Sequence, residues 1–353
     1  MRSETARRTL LLFGVLHVCF PPLLLAQMTE SVGSRALGMG GAFVAVANDS
    51  TATWWNPAGL AAGPFLDMSF GRAVADQVEG GLEGGPASRN QSRWVSFASL
   101  PVGISHYRFQ VTDIRAIDPV EGLSANRQDR RAGVPPPWQA RSLSASQLGL
   151  TLVQTLVPGI HAGATLKYVR GTIRTLRREE ASDDRPLVKE QLDAGEALEG
   201  GEADSTFDVD LGLLATAGPF RIGALVRHVK APELGVEGAS VTLARQSRAG
   251  VAFDAAAAGG PALTIALDVD LERTTTPAGR DRRNLAVGAE QWLSKQRIGL
   301  RGGMRMNREG AKERTGTFGA SVAVRAGLFI DGHVVRGGAE GEEGWGGAAR
   351  VSF

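Results

Sequence analysis

The chain has 353 residues, of which 43% are hydrophobic and 22% are charged, and its formal net charge is +2. A charge so close to zero argues against a nucleic-acid-binding protein, because such binding depends on cations that neutralise many phosphates. Cys19 is the only cysteine, so the chain cannot form an internal disulfide or a metal site built from several thiolates.

The N-terminus has the order of a secretory signal peptide. Three arginines precede an apolar run over residues 10–20, two prolines follow that run, and a Leu-Leu-Ala sequence ends at Ala26. A transmembrane anchor is disfavoured, because the run is shorter than the ~20 residues that a spanning helix needs. We predict a signal peptide over residues 1–26, cleaved after Ala26, whose removal brings the net charge to about zero.

The rest of the chain fits two classes of protein. Its mean hydropathy is −0.07, and no stretch after residue 26 has the ~18 consecutive apolar residues of a membrane helix. One class is a secreted soluble domain. The other is a membrane β-barrel, in which lipid-facing apolar and lumen-facing polar residues alternate and average to a neutral hydropathy.

Apolar and polar residues alternate with a period of two in several segments. Residues 263–272 read LTIALDVDLE, and residues 297–307 read RIGLRGGMRMN, with arginines opposite the apolar side chains. A row of arginines is costly when it faces a dry core, whereas a water-filled lumen tolerates it. We therefore predict an all-β fold, a transmembrane antiparallel β-barrel.

Runs of this kind predict about fourteen strands. The strands are expected to begin near Phe65, Ser92, Val102, Leu143, Ile160, Thr206, Phe220, Gln246, Ala262, Arg283, Gln296, Arg314, Gly327 and Gly344. Tight turns at residues 100–101 and 157–159 alternate with long loops expected over residues 113–142, 172–205 and 231–245. Outer-membrane barrels alternate short periplasmic turns with longer outer loops in the same way.

The C-terminus is consistent with an outer-membrane location. The last residues, WGGAARVSF, alternate again and place Trp345, Val351 and Phe353 on one face. Outer-membrane barrels present a final strand ending on a residue such as Phe353 to their assembly machinery. We expect a monomeric, multi-pass barrel of the cell outer membrane, with outer-membrane lipids and the barrel assembly machinery as partners.

A segment rich in small residues precedes the first predicted strand. Residues 33–62 read GSRALGMGGAFVAVANDSTATWWNPAGLAA, where glycines allow close packing or positive φ and the Asn-Asp-Ser and Asn-Pro sequences predict turns. The glycines lack the spacing of a dinucleotide-binding loop. The candidate functional residues of the segment are Gly38, Gly40, Gly41, Phe43, Asn48, Asp49, Trp54, Trp55, Asn56 and Pro57.

This segment resembles the N-terminal signature shared by the FadL-like long-chain fatty acid transporters and their PorV/PorQ relatives. RALGMGGAF and AVANDSTATWWNPAGL look closer to the PorV/PorQ branch, and the detailed likeness covers about thirty residues. In the transporter family the corresponding segment is a hatch that plugs the barrel. The resemblance thus implies a hatch over residues 27–62 and a barrel over residues 63–353.

Two functions remain open at this point. The first is passage of a hydrophobic small molecule, resembling a fatty acid, across the outer membrane, with Trp54 and Trp55 either lining its path or packing the hatch against the wall. The second is a PorV-like platform that binds secreted proteins at the cell surface. The 327 residues left after cleavage at Ala26 slightly favour the compact PorV/PorQ branch.

The sequence offers little sign of catalytic chemistry. Two pairs of aspartates, Asp208 with Asp210 and Asp268 with Asp270, each lie on one face of a predicted strand. Lumen-facing polarity explains them better than acid–base or metal chemistry does. The five histidines show no metal-ligand spacing, and no serine lies in a nucleophile elbow. We therefore predict no enzyme activity, catalytic residue, cofactor or metal.

Overall fold

Fourteen antiparallel strands close into a single barrel in the computed structural model. The structure describes residues 25–26, 32–78, 87–116, 138–178, 188–236, 239–275, 281–310, 312–338 and 342–353. The barrel strands are β1 Leu66–Val78, β2 Ala87–Ser99, β3 Val102–Ala116, β4 Trp138–Val157, β5 Ile160–Arg178, β6 Ala203–Ala217, β7 Phe220–Arg227, β8 Gln246–Asp254, β9 Leu263–Asp270, β10 Asn284–Leu293, β11 Ile298–Asn307, β12 Arg314–Arg325, β13 Leu328–Gly337 and β14 Glu342–Ser352. The predicted fold class and strand number are confirmed.

The loops expected over residues 113–142 and 172–205 are shorter in the structure than predicted. Strand β3 continues to Ala116 and β4 begins at Trp138, while β5 continues to Arg178 and β6 begins at Ala203. Polar residues such as Thr112, Ser142 and Arg174 occupy the outward face near these strand ends and interrupt the apolar half of the alternating pattern that identifies a strand.

The barrel has two different ends. At the turn end, short connections join strand pairs such as β2 with β3 and β4 with β5. The first and last strands also meet there, where the amide of Phe353 donates to the carbonyl of Leu66 at 2.9 Å. At the loop end, the connections are longer. Pairing of β14 with β1 closes the cylinder, which removes exposed strand edges.

The outer face of the barrel is apolar over a continuous belt. Strand β9 shows the pattern, since Ile265 and Leu267 are exposed while Ala266 and Asp268 are buried. A soluble protein rarely exposes so large an apolar surface, whereas a lipid-facing wall requires one. No helix in the described ranges has the length and apolarity needed to cross a membrane.

The core lies inside the barrel and is built around the segment of residues 32–62, called the lumen segment below. The lumen segment contains α1 Ser34–Gly38, α2 Ala52–Trp55 and a 3₁₀ helix over Pro57–Ala62. Almost all of its residues are buried. A barrel of fourteen strands is too wide for wall side chains alone to fill, so a separate segment supplies the core.

A short hairpin also enters the lumen near the loop end. After β7 the chain forms antiparallel strands Glu233–Val236 and Ala239–Leu243, and Leu25–Ala26 pairs in parallel with the second. Leu234 is fully buried and packs against Gly171 of β5. The prediction of a plain outer loop over residues 231–245 was therefore wrong, because the apolar residues of this stretch pack inward.

A third helix, α3 Val188–Glu196, lies outside the barrel, whereas the hairpin lies inside it. Its residues Val188 and Leu192 pack against Ile114 of β3 and Ala140 of β4. Both wall residues belong to the outward-facing set of their strands. The helix therefore covers the outer face of the wall at its loop end.

Candidate functional site

The lumen segment meets the inward faces of strands all around the barrel. Its contacts reach Gly103 on β3, Gly163 on β5, Gly223 on β7 and Gly319 on β12. Such contacts on well-separated strands mean that the segment crosses the lumen and does not follow one wall. The candidate site is the boundary between the lumen segment and the wall.

A buried ion-pair network anchors the first helix of the lumen segment. Arg35 donates from Nε and Nη2 to the two carboxylate oxygens of Glu290 on β10, both at 2.7 Å. Arg35 Nη1 lies 3.2 Å from Asp49 and also donates to Asn48. On β11, Arg301 donates from Nε to Glu290 at 2.6 Å. One buried carboxylate thus joins a guanidinium of the segment to one of the wall.

The electrostatics of this network keep Arg35 charged. Burial lowers the pKa of Arg35, but the carboxylates of Glu290 and Asp49 outweigh it and hold that pKa above its usual value. A bidentate guanidinium–carboxylate pair also fixes the orientation of both groups. The network therefore determines where the start of the lumen segment attaches to the wall.

A second anchor uses backbone amides of the lumen segment. Asp268 on the inward face of β9 accepts hydrogen bonds from the amides of Phe43 and Val44, both at 2.8 Å through Oδ2. A carboxylate that accepts two neighbouring N–H groups forms charge-assisted bonds, which are stronger than neutral ones. Arg248 on β8 donates to the carbonyl of Gly41 at 3.4 Å nearby.

Wall glycines let the lumen segment approach the strands closely. A Cβ atom added to Gly212 of β6 would lie 2.2 Å from Asn56 Oδ1, and one added to Gly163 of β5 would lie 2.4 Å from the amide nitrogen of Ala58. Any side chain at these two positions would collide with the segment. Asn56 and Pro57 therefore pack directly against the backbone of β5 and β6 at Gly163 and Gly212.

The predicted glycines of the lumen segment lie at similarly close contacts. Gly40 and Gly41 have φ values of +70° and +82°. A Cβ atom on Gly40 would lie 2.8 Å from the amide nitrogen of Met304 on β11. Gly38 faces Gly319 of β12, where an added Cβ would lie 3.0 Å from Gly319 Cα. Only glycine satisfies both the backbone angles and the space at Gly40.

Asn56 links two parts of the lumen segment to the wall. Its Nδ2 group donates to the carbonyls of Val44 at 2.8 Å and Leu213 on β6 at 3.0 Å. Its Oδ1 atom accepts from the amide of Ala58 at 3.1 Å and caps the 3₁₀ helix that starts at Pro57. The predicted Asn-Pro turn is therefore a helix cap that also bonds the barrel.

Both tryptophans of the lumen segment are buried in aromatic contacts. Arg227 of β7 stacks over the ring of Trp54 at 4.0 Å and donates to its backbone carbonyl at 2.8 Å. The rings of Trp55 and Phe43 meet edge to face at 6.0 Å, and Trp55 Nε1 donates to the carbonyl of Val32 at 2.9 Å. Of the two roles considered from the sequence, this geometry favours packing against the wall.

Two cavities flank the boundary. One of about 700 Å³ opens at the turn end and is lined by polar and charged groups that include Arg35, Glu290 and Arg350. The other, also about 700 Å³, is apolar and is lined by residues of β4 to β7 such as Leu152, Leu213 and the small Ala162 and Ala164.

The apolar cavity lies on the outer side of the wall where Asn56 and Pro57 contact its inner side. Its lining includes Gly163 and Gly212, the two glycines that contact Pro57 and Asn56 from the inside. The neighbouring positions Leu211 and Leu213 are half exposed and face outward. At this place the wall carries no side chain between the outer apolar surface and the lumen segment.

The aspartate pair of β6, Asp208 with Asp210, is engaged in ion pairs. Lys167 Nζ lies 2.9 Å from Asp208 and 2.6 Å from Asp210, and all three side chains are buried. His228, which the sequence spacing had left isolated, lies 2.7 Å from Asp208. These carboxylates and His228 are close enough to share a cation. The Lys167 ammonium, however, already supplies the positive charge there.

Sequence reasoning missed several residues that hold the site together. The wall residues Asp268 and Glu290 contact the lumen segment directly, and Arg35 of the segment is the residue that binds Glu290. The sequence analysis noted Asp268 only as one of a pair of lumen-facing aspartates, and the only signal for Glu290 was a lone acidic residue at an inward position of an alternating strand. Phe353 lies at the turn end as expected, and its role in barrel assembly stays a prediction.

No family model and no curated protein matches the chain in sequence. Solved structures do match its fold. The Ralstonia pickettii toluene transporter TbuX aligns with a TM-score of 0.60 at 16% identity over 92% of this chain and 99% of its own. The monoaromatic hydrocarbon channel CymD aligns with a TM-score of 0.61 at 12% identity over 93% and 99%.

A third match is the Pseudomonas putida toluene transporter TodX, with a TM-score of 0.55 at 14% identity over 93% of this chain and 98% of its own. At such identities the likeness establishes the fold alone. The chain therefore has the barrel fold of these hydrocarbon transporters and channels. Membership of the PorV/PorQ branch stays a prediction.

Proposed function

We propose that the protein is an outer-membrane transporter that passes hydrophobic small molecules, and that its lumen segment is the hatch that controls the passage. The observation that carries this proposal is the boundary between the lumen segment and the wall. The segment crosses the lumen and attaches to the wall through non-covalent contacts, notably those of Arg35, Asn56 and Asp268.

The surfaces beside the hatch suit an apolar ligand. The outer cavity behind Asn56 and Pro57 is lined mainly by leucine, valine and alanine. An apolar, concave site with few polar groups binds hydrophobic molecules by removing their surface from water. The fold likeness to toluene and monoaromatic hydrocarbon transporters supports this class of ligand. A fatty-acid-like ligand remains the narrower hypothesis drawn from the sequence resemblance.

The hatch hypothesis can be tested with a disulfide lock. Ser50 Oγ in the lumen segment lies 3.0 Å from Ser96 Oγ on β2. A Ser50→Cys/Ser96→Cys variant can therefore join hatch and wall by a disulfide, because the two Oγ atoms, whose places the sulfur atoms would take, already approach each other. Cys19 is the only natural cysteine and lies within the predicted signal peptide, so no other thiol interferes after cleavage.

The matched control places a disulfide within the wall. Thr151 Oγ1 on β4 lies 2.8 Å from Thr165 Oγ1 on β5, both facing the lumen. Uptake of radiolabelled toluene and of a radiolabelled long-chain fatty acid is measured in cells whose outer membrane carries each variant. We expect the oxidised hatch lock to lower uptake at least fivefold, a reductant to restore it, and the wall disulfide to leave it unchanged.

Three outcomes decide between the hypotheses. If the wild-type protein raises uptake of neither compound, the transport proposal is wrong. If uptake proceeds equally through the oxidised lock, passage does not need the hatch to move. The platform alternative from the sequence predicts instead that a secreted protein stays bound to the barrel after gentle extraction, which native mass spectrometry detects.

A further inference from the structure

Three arginines form a continuous row on the outer face of the wall. Arg72 of β1 lies directly opposite Arg93 of β2, and Arg93 lies directly opposite Arg108 of β3. All three are exposed. They share the outward set of positions with exposed apolar residues such as Phe70 and Val95. Arg170 of β5 extends the row beyond Ser146 of β4.

Like charges opposite each other on neighbouring strands repel, so an anion bound to this row would stabilise it. Within the described residues, no carboxylate lies within ion-pair distance of Arg72, Arg93 or Arg108. Arg72 makes one long hydrogen bond, at 3.5 Å, to Gln91. Some arginines of similar exposure elsewhere in the described chain do have acidic partners, as Arg273 does with Asp281 at 2.5 Å.

The nearest arginine toward the loop end shows the contrast on the same strands. Arg89 of β2 contacts Asp76 at 2.7 Å, Asp193 at 2.6 Å and Glu196 at 3.5 Å, the last two on α3. The protein thus supplies three carboxylates to Arg89 and none of the described ones to Arg93. Among the described residues, Arg93 therefore has no anionic partner and is open to an anion from the surroundings.

The row also lies at a boundary of polarity. On its turn-end side the next outward residues include Phe70 and Val95, which are more than half exposed, at 55% and 53%. On its loop-end side the next outward residues include Gln91 and Gln110, which bond to Glu196 of α3. A lipid whose acyl chains cover the apolar side places its headgroup at the level of the arginines.

We propose that Arg72, Arg93 and Arg108 form a binding site for an outer-leaflet lipid whose headgroup carries more than one phosphate. Guanidinium groups bind phosphate oxygens bidentately, and three of them on adjacent strands span about 10 Å, enough for two phosphates. The site rests on the proposed membrane location of the barrel and does not depend on transport.

The test uses the whole detergent-extracted barrel and a bisphosphorylated glycolipid as the probe. Binding is measured by native mass spectrometry for the wild type and for the triple variant Arg72→Gln/Arg93→Gln/Arg108→Gln. We expect the triple variant to bind about tenfold or more weakly, because charge-assisted bonds to the phosphates are lost. The dephosphorylated glycolipid should bind both proteins equally weakly.

A matched control removes three arginines that have acidic partners. Arg245→Gln/Arg273→Gln/Arg283→Gln changes the net charge equally, and these side chains are 56%, 61% and 40% exposed. Its affinity for the probe should stay within twofold of wild type. A triple arginine-to-lysine variant of the row, which keeps the charge but not the bidentate geometry, should bind with intermediate affinity.

Folding of each variant is checked by the mobility of unheated samples in gel electrophoresis, and uptake of toluene is measured in parallel. Unchanged uptake with lost lipid binding supports the lipid site independently of the transport proposal. Equal probe affinity in the wild type and the row variant overturns the site. Displacement of the probe by millimolar inorganic phosphate also overturns it, since the arginines then bind any free phosphate.

Discussion

Buried arginines inside the barrel and the arginine row on its outer face differ in whether they have acidic partners. Inside, the buried guanidiniums of Arg35 and Arg301 share the carboxylate of Glu290, and Arg248 pairs with Asp270 at 2.6 Å. Outside, the row from Arg72 to Arg108 has no acidic partner among the described residues.

The difference follows from what surrounds each face. A charge buried between the lumen segment and the wall has no access to bulk water or mobile ions, so a partner must be encoded in the chain. A charge at the edge of the lipid belt can take its partner from the surroundings. Arginine pairs inside therefore stabilise the fold, whereas we propose that the outer row of Arg72, Arg93 and Arg108 binds an anion from the surroundings.

The largest effect is expected from breaking the inner network. Glu290→Gln keeps the side-chain volume but leaves Arg35 and Arg301 without their shared carboxylate. We expect the free energy of unfolding to fall by about 3 kcal/mol, since removing one partner leaves uncompensated buried charge. Urea unfolding in phospholipid vesicles, followed by tryptophan fluorescence, measures the change.

The control for this prediction is Glu343→Gln, which changes the same residue type at an exposed position of β14. Its unfolding free energy should stay close to wild type. Equal losses in both variants would contradict the view that the inner network carries a special share of the stability.

A second variant, with a smaller expected effect, tests the close packing of the lumen segment against the wall. Gly212→Ala places a Cβ atom 2.2 Å from Asn56 Oδ1, so the segment or strand β6 must shift. Overpacking of this kind typically costs about 1–3 kcal/mol. We expect faster proteolysis within the lumen segment, measured by limited digestion of the folded barrel.

Gly302→Ala is the matched control, because a Cβ atom at Gly302 of β11 meets no other atom within 4 Å. Its digestion pattern should equal that of wild type. Equal protection of the segment in the Gly212 variant would show that the wall yields at this position without disturbing the hatch.

The smallest effect is expected on the outer face. In detergent without anionic lipid, Arg93→Gln should leave the unfolding free energy within about 0.5 kcal/mol of wild type, because Arg93 is exposed and has like-charged neighbours. Adding the bisphosphorylated glycolipid should stabilise the wild type more than the variant. Equal stabilisation of both would remove the contrast between the two faces.

Local alternation determined much of this fold. The pattern of residues 263–272 depends only on which face of a strand meets lipid and which meets the lumen. It therefore predicts a strand without knowledge of the neighbouring strands. The same reasoning failed at residues 113–116 and 138–142, which are strand but are separated from the rest of the apolar face by polar residues such as Thr112 and Ser142. It also failed for residues 231–245, whose hairpin packs apolar residues such as Leu234 and Leu243 into the lumen.

By itself, the sequence determined the barrel class, the strand number, and the presence of a small-residue segment ahead of the first strand. Only the tertiary structure decided that Arg35 meets Glu290, 255 positions away, that His228 meets Asp208, and that Arg72, Arg93 and Arg108 form one row. The physical reason is that alternation is a local property of one strand. Contacts across the lumen and along the wall depend on the register of many strands together.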